Sequence, residues 1–284
     1  RSSRLESDPF FGILQCRLGW GLLARGDRVG ATQSAHLAID LLAEHGNRAR
    51  LAEAHHLAAL LALGRGQPRA ARMMLDPLIS TARSFSFTNL EMLGSSLKLR
   101  VAAAMGDATA AHEALDSPSN SSAHPTADWR LALSRWNRTQ RRQQDALESA
   151  TLLNPRNPAE VFLAIEGARL RLVADRHTEA AHHIETAIKM CQKRGYSELL
   201  TLARVVHGAI DLTQDEFWRA ALIQASASPW VELSMAGIAM QGRRALREGD
   251  TDAARSHFAN LLRRADHLDH HYHRVVANEA LVDL

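Results

Sequence analysis

Residues 57–71 read Leu-Ala-Ala-Leu-Leu-Ala-Leu-Gly-Arg-Gly-Gln-Pro-Arg-Ala-Ala, and this stretch decides the fold. The Ala/Leu run is helix-forming, because these side chains lose little freedom in a helix. Gly66 can adopt the left-handed backbone conformation that ends one. The small pair Ala70-Ala71 then opens a second helix and allows it to approach the first closely. The whole is an αα-hairpin.

The break recurs along the chain. Arg25-Gly26-Asp27 and Met105-Gly106-Asp107 place their glycines 40 residues to either side of Gly66, and Glu248-Gly249-Asp250 repeats the chemistry near the C-terminus. An Asp after the glycine is placed to cap the free amides of the next helix. Ala110-Ala111 and Ala253-Ala254 follow as Ala70-Ala71 does. One hairpin cannot bury its own apolar face, so such units must stack. Between the glycine-marked units the pattern implies less regular hairpins at 130–136 with 145–153, 161–173 with 178–193, and 199–210 with 215–225. Thr213 and Glu216 have the spacing of a capping box, and a last helix over about 268–284 is expected to cap the array.

The expected fold is therefore all-α, a right-handed α-solenoid of six or seven stacked antiparallel hairpins. Residues 1–116 carry the 40-residue period, 117–126 are a Ser/Pro/Asn-rich loop or boundary, and 127–284 hold the C-terminal repeats and capping helix. One continuous superhelix is expected. No segment alternates with a period of two, so no sheet is expected.

Composition agrees. The chain has 284 residues, 46% hydrophobic and 23% charged, which is ample for a folded core, with only 5% aromatic. The formal net charge is +3, carried almost wholly by Arg. Arg138, Arg141 and Arg142, like Arg263 and Arg264, sit near acidic residues in helical context and read as solvated faces, so a nucleic-acid partner is not expected. Cys16 and Cys191 are far apart in helical patterns, which suggests reduced thiols and a cytoplasmic setting. No window approaches 18 uninterrupted apolar residues, so no membrane partner is expected. The chain opens on Arg1 with no signal-peptide pattern, as a piece of a longer polypeptide would.

Catalytic signatures are missing: no phosphate loop, no nucleophile elbow and no zinc helix. Neither enzymatic activity nor a cofactor is expected. His267 and His271 stand four apart and would share a metal if one helix carried both. A polar, solvent-exposed last helix with incidental histidines is the preferred reading, with no metal. Trp129 and Trp136 share a helix face by spacing and read as core, as do Trp218 and Trp230.

These units resemble the tetratricopeptide repeat. With Gly26 at the inter-helix glycine, Leu18 and Gly19 fall on that repeat's Leu-Gly pair, and Asp27, Ala31 and Ala38 on its turn acid and close-packing positions. Gly242, Asp250, Ala254 and Phe258 match likewise around Gly249, and residues 150–155 resemble its terminal Ala-Leu-x-x-Asn-Pro. The first-helix Trp is replaced by Gln15 and His55, and the period is 40 where that family has 34. Longer repeats of this kind look like the sensor arrays of bacterial regulators in the maltose-activator class, with HEAT-type repeats as structural runner-up. The resemblance implies a ligand- or partner-binding sensor domain of a signalling protein, a transcription regulator; the alternative is a protein–protein scaffold. It also implies an inner surface lined by first helices, exposing Cys16, Trp20, His56, Arg100, Arg243 and Arg247. Guanidinium groups suit carboxylates and phosphates, so the expected partner is an acidic peptide or a small anionic ligand.

Overall fold

The computed structural model describes residues 9–45, 47–117, 126–151, 155–213, 215–282 and 284. Among them are fifteen α-helices and no strand. Seven antiparallel pairs run in order: α1 (Pro9–Ala24) with α2 (Arg28–His45), α3 (Arg48–Gly64) with α4 (Pro68–Ser84), and α5 (Thr88–Met105) with α6 (Ala108–Leu115). Then come α7 (Ala127–Thr139) with α8 (Gln143–Ser149), α9 (Pro158–Val173) with α10 (His177–Arg194), α11 (Ser197–Ile210) with α12 (Asp215–Ala227), and α13 (Val231–Arg247) with α14 (Thr251–His267). The unpaired α15 (His271–Val282) closes the series. The chain is an all-α solenoid. Most of the boundary stretch at 117–126 lies outside the described residues, as does the end of the expected helix at 145–153.

First and second helices bury themselves differently. In α10 the buried residues Ala180, His183, Ile184, Ala187 and Cys191 form one stripe, and in α14 Ala254, Phe258, Leu261 and Ala265 do the same. These second helices face solvent on their other side. By contrast, α9 buries every residue from Val161 to Leu172. First helices touch one another along the array, α7 to α9 to α11 to α13, so they form its inner layer.

The turns follow the expected chemistry. Gly26, Gly66, Gly106 and Gly249 all have positive φ. Asp27, Asp107 and Asp250 each accept a 2.9 Å hydrogen bond from the backbone amide three residues on. Four further turns adopt the same geometry without glycine, with Ser86, Arg141, Asp175 and Asp269 at φ 49–58°. In each, the next residue's N–H donates to the carbonyl five back, as Arg142 does to Asn137. Thr213 differs from the capping-box reading: its hydroxyl donates to Asp211 Oδ1.

The array winds until it meets itself. Helix α15 rests on α5 and α7 as well as on α13 and α14. The glycine turns spaced by 40 dock in succession on the starts of later first helices: Gly26 on Ser197 and Glu198, Gly66 on Val231, and Gly106 on His271. A Cβ at Gly106 would lie 2.9 Å from the His271 ring, so glycine there serves both the turn and the close approach. Arg28 reinforces the contact, with Nε 2.8 Å from Glu198 Oε2 and its guanidinium 4.6 Å from the centre of the Trp230 ring.

Closure has consequences for the histidine-rich segment. The helix breaks at residues 268–270, placing His267 at the end of α14 and His271 at the start of α15, so the two are not one turn apart on a single helix. Nor is the last helix a solvated cap, because Tyr272 and His273 are fully buried and His270 nearly so. Arg138 is likewise buried, contrary to the solvated-face reading, whereas Arg141, Arg142, Arg263 and Arg264 are exposed.

Candidate functional site

The centre of the closed array is an ionic network. From α7 come Arg135 and Arg138, from α9 Glu166 and Arg169, from α13 Glu232, and from α15 Tyr272, His273 and Glu279. Glu232 Oε1 lies 2.9 Å from Arg135 Nη2 and 3.0 Å from Arg169 Nη1. Glu166 Oε2 is 3.0 Å from the same Arg169 nitrogen, and Tyr272 donates to Glu166 Oε1 at 2.5 Å. Burial alone would raise both carboxyls, but Arg169 and Arg135 outweigh it and hold them below the ordinary range, Glu232 well below. The Tyr272 hydroxyl is pushed up to about 12, first by burial and then by Glu166. Burial lowers His273 and brings His270 down to about 3, leaving both neutral at neutral pH. This centre is structural in the first place, since it ties four first helices together.

The six residues expected to line an inner groove do not form one. Cys16 is buried with Ala38, Leu42, Leu51 and Ala54, and burial pushes its thiol up to about 11. It presents no surface to a partner. Trp20 is half-buried against His56, with ring centres 5.6 Å apart. His56 is lowered by burial, against the opposing pull of Asp128, and Arg100 bears on it from α5. Trp20, His56 and Arg100 are thus neighbours. Arg243 and Arg247 are elsewhere: Arg243 is eleven residues beyond Glu232 on α13, roughly 16 Å at 1.5 Å per residue. Its guanidinium lies over Phe258. Arg247 donates to the carbonyls of Ala209 and Ile210, closing the end of α11. Of the six, Cys16 alone is buried; Trp20, His56, Arg100 and Arg243 are half-buried and Arg247 is exposed.

An open groove exists on the outer side, between α10, α11 and α12. Its volume is about 410 Å³. Helix α10 lends Glu185, Ile188, Lys189 and Gln192, which share one face at positions i, i+3, i+4 and i+7. Arg204 and His207 enter from α11, and Phe217 and Trp218 from α12. Trp218 is anchored: its indole N–H donates to the Val205 carbonyl at 3.2 Å, Gly208 makes room for its ring, and Arg244 lies 4.3 Å from the ring centre. Its neighbour Phe217 is 67% exposed. Lys189 and Arg204 form no ion pair among the described residues. An apolar floor with free cations at its rim suits a ligand that joins an apolar body to an acid group. The expectation that Trp218 is a packing residue holds for one face of the ring only.

Sequence reasoning missed this groove. Its one local signal was the adjacent Phe217-Trp218 pair on a helix that buries little beyond Ala221 and Ala225.

Compared with models of known protein families and with curated proteins, the sequence matches none of them. What the structure defines is a class: an all-α solenoid of stacked helical hairpins, closed on itself around an ionic centre. No described helix is long and apolar enough to cross a membrane.

Proposed function

We propose that this chain is a ligand-sensing module of a larger signalling protein, of the kind that controls transcription, and that the groove between α10 and α12 is its binding site. The observation that carries the reading is the groove itself, which sets an exposed Phe217 and an anchored Trp218 beside the uncommitted cations Lys189 and Arg204. The ligand class is a small organic anion with an aromatic or branched apolar body. The placing in a regulator rests on the likeness of the glycine-marked hairpins to tetratricopeptide-type sensor arrays. A cytoplasmic setting and the lack of a catalytic role belong to the same reading.

The test is a thermal-shift screen of aromatic and aliphatic carboxylates and phosphates, with hits followed by calorimetry. Phe217→Ala and Lys189→Ala/Arg204→Ala should abolish binding at unchanged secondary structure. The second reading, a protein-binding scaffold, is favoured by the exposure of Phe217 and Ile223 on one helix. It predicts no small-molecule hit, together with a protein partner captured by the native chain and lost with Phe217→Ala. Hits that bind the variants as tightly as the native chain would overturn the assignment of the groove.

A further inference from the structure

A second site lies inside the fold, independent of the groove. Where α3, α5, α7 and the α14–α15 turn converge, a cavity of about 20 Å³ is lined by Arg100, Arg135, Trp230, Glu232 and His270, among others. That volume accommodates one water-sized or slightly larger particle and no polyatomic oxyanion.

The lining is a set of donors short of acceptors. Arg135 is 94% buried by residue, yet its Nε has no hydrogen-bond acceptor among the described residues. Its Nη2 sits 2.9 Å from Glu232 Oε1 without hydrogen-bond alignment. The Nε of Arg100 is also buried without an acceptor, and Arg100 makes no ion pair among the described residues. The one carboxylate in the lining, Glu232, is already shared among Arg135, Arg169 and His273. Around the cavity the guanidiniums of Arg100, Arg135 and Arg169 face Glu166 and Glu232, and Asp128 acts on Arg100 as a third carboxylate, yet none of the three gives the Nε of Arg100 or Arg135 an acceptor. A buried donor left without an acceptor is costly, and an anion set between these guanidinium N–H groups supplies one. Arg100 is lowered to about 10, by burial first and then by the charge of Arg135, against the opposing pull of Asp128, Glu232 and Glu166.

We infer that this cavity is a binding site for one chloride-sized monovalent anion, held by the side-chain N–H groups of Arg100 and Arg135. The anion completes the ionic centre and so helps to hold the turn before α15 against α5 and α7. Binding to the folded state alone makes stability depend on the anion's concentration.

The experiment compares thermal unfolding of the whole chain in sodium chloride, bromide and gluconate at matched ionic strength, alongside the chlorine-35 linewidth. Gluconate is too large for the cavity. General salt effects favour gluconate over chloride over bromide, whereas a site for small anions reverses the order and saturates. The expected result is a saturable rise in melting temperature with chloride and bromide over gluconate, and a chlorine-35 line broadened by the protein and narrowed by added bromide. Arg100→Gln removes one of the two guanidiniums that hold the anion, so it should keep its helical circular dichroism and lose both the chloride response and the broadening. Equal melting in all three salts, with no broadening, would mean that the cavity takes up water alone and overturns the proposal. So would an undiminished chloride response in Arg100→Gln.

Discussion

Replacing Glu232 by Gln keeps its shape and removes one charge from the centre of the fold. The carboxylate lies about 3 Å from two guanidinium nitrogens, at 2.9 and 3.0 Å. At an effective dielectric of about 20, each contact is worth about 5 kcal/mol before the desolvation of the carboxylate is subtracted. That desolvation costs several kcal/mol, so the net loss on breaking the network from one side should be about 3–5 kcal/mol. The size matters because α7, α9 and α13 meet through this one side chain. A control is at hand in Glu53, which pairs with Arg50 at 2.7 Å on the surface, both side chains about one-third exposed. Solvent screening reduces such a pair to less than about 0.5 kcal/mol. Equilibrium urea unfolding followed by circular dichroism should show a large fall in midpoint for Glu232→Gln and almost none for Glu53→Gln. Pairing the change with Arg169→Met should recover part of the loss, since the second substitution removes a cation left unpaired. A Glu232→Gln variant no less stable than the Glu53→Gln control would refute the claim that this network holds the array closed.

Two further predictions concern acid and the turns. His270 is neutral in the fold, with its pKa at about 3, against about 6.5 in an unfolded chain. The unfolded state therefore binds the extra proton first, and stability is present above pH 6.5 and lost as pH falls toward 3. His270 alone contributes about 1.4 kcal/mol per pH unit across that window, so unfolding free energies at pH 7 and 5 should differ by at least about 2 kcal/mol. His270→Gln should flatten the dependence, and a native chain equally stable at both pH values would contradict the assignment. For the turns, Arg141 is an exposed residue at φ 58°. Arg141→Gly should raise stability by about 0.5–1 kcal/mol, whereas Gly106→Ala, strained and set against the His271 ring, should cost at least about 2 kcal/mol. Urea midpoints decide both, and opposite signs are required.

What this sequence determined by itself was local. Helices, their glycine ends and their aspartate caps depend on residues within one turn of each other, and Gly26, Gly66, Gly106, Asp27, Asp107 and Asp250 all stand where their chemistry implied. The four turns at Ser86, Arg141, Asp175 and Asp269 carry no such signal, since the residue type does not announce a left-handed backbone that neighbouring contacts impose. Whether a charge is solvated or buried was not local either. Arg138 and Arg141 are three residues apart in one basic cluster, yet Tyr272 and Glu279 from α15 cover the first and leave the second in water. The 40-residue spacing implied stacking but not how far the stack would wind. Only when the Gly26, Gly66 and Gly106 turns dock on α11, α13 and α15 does the array meet itself, leaving Trp20, His56 and Arg100 half-buried. Small rotations between successive hairpins accumulate over the whole chain, so winding is a sum over many interfaces and is carried by tertiary packing. That sum placed the cations of Arg100 and Arg135 in the interior and left the accessible groove to α10, α11 and α12.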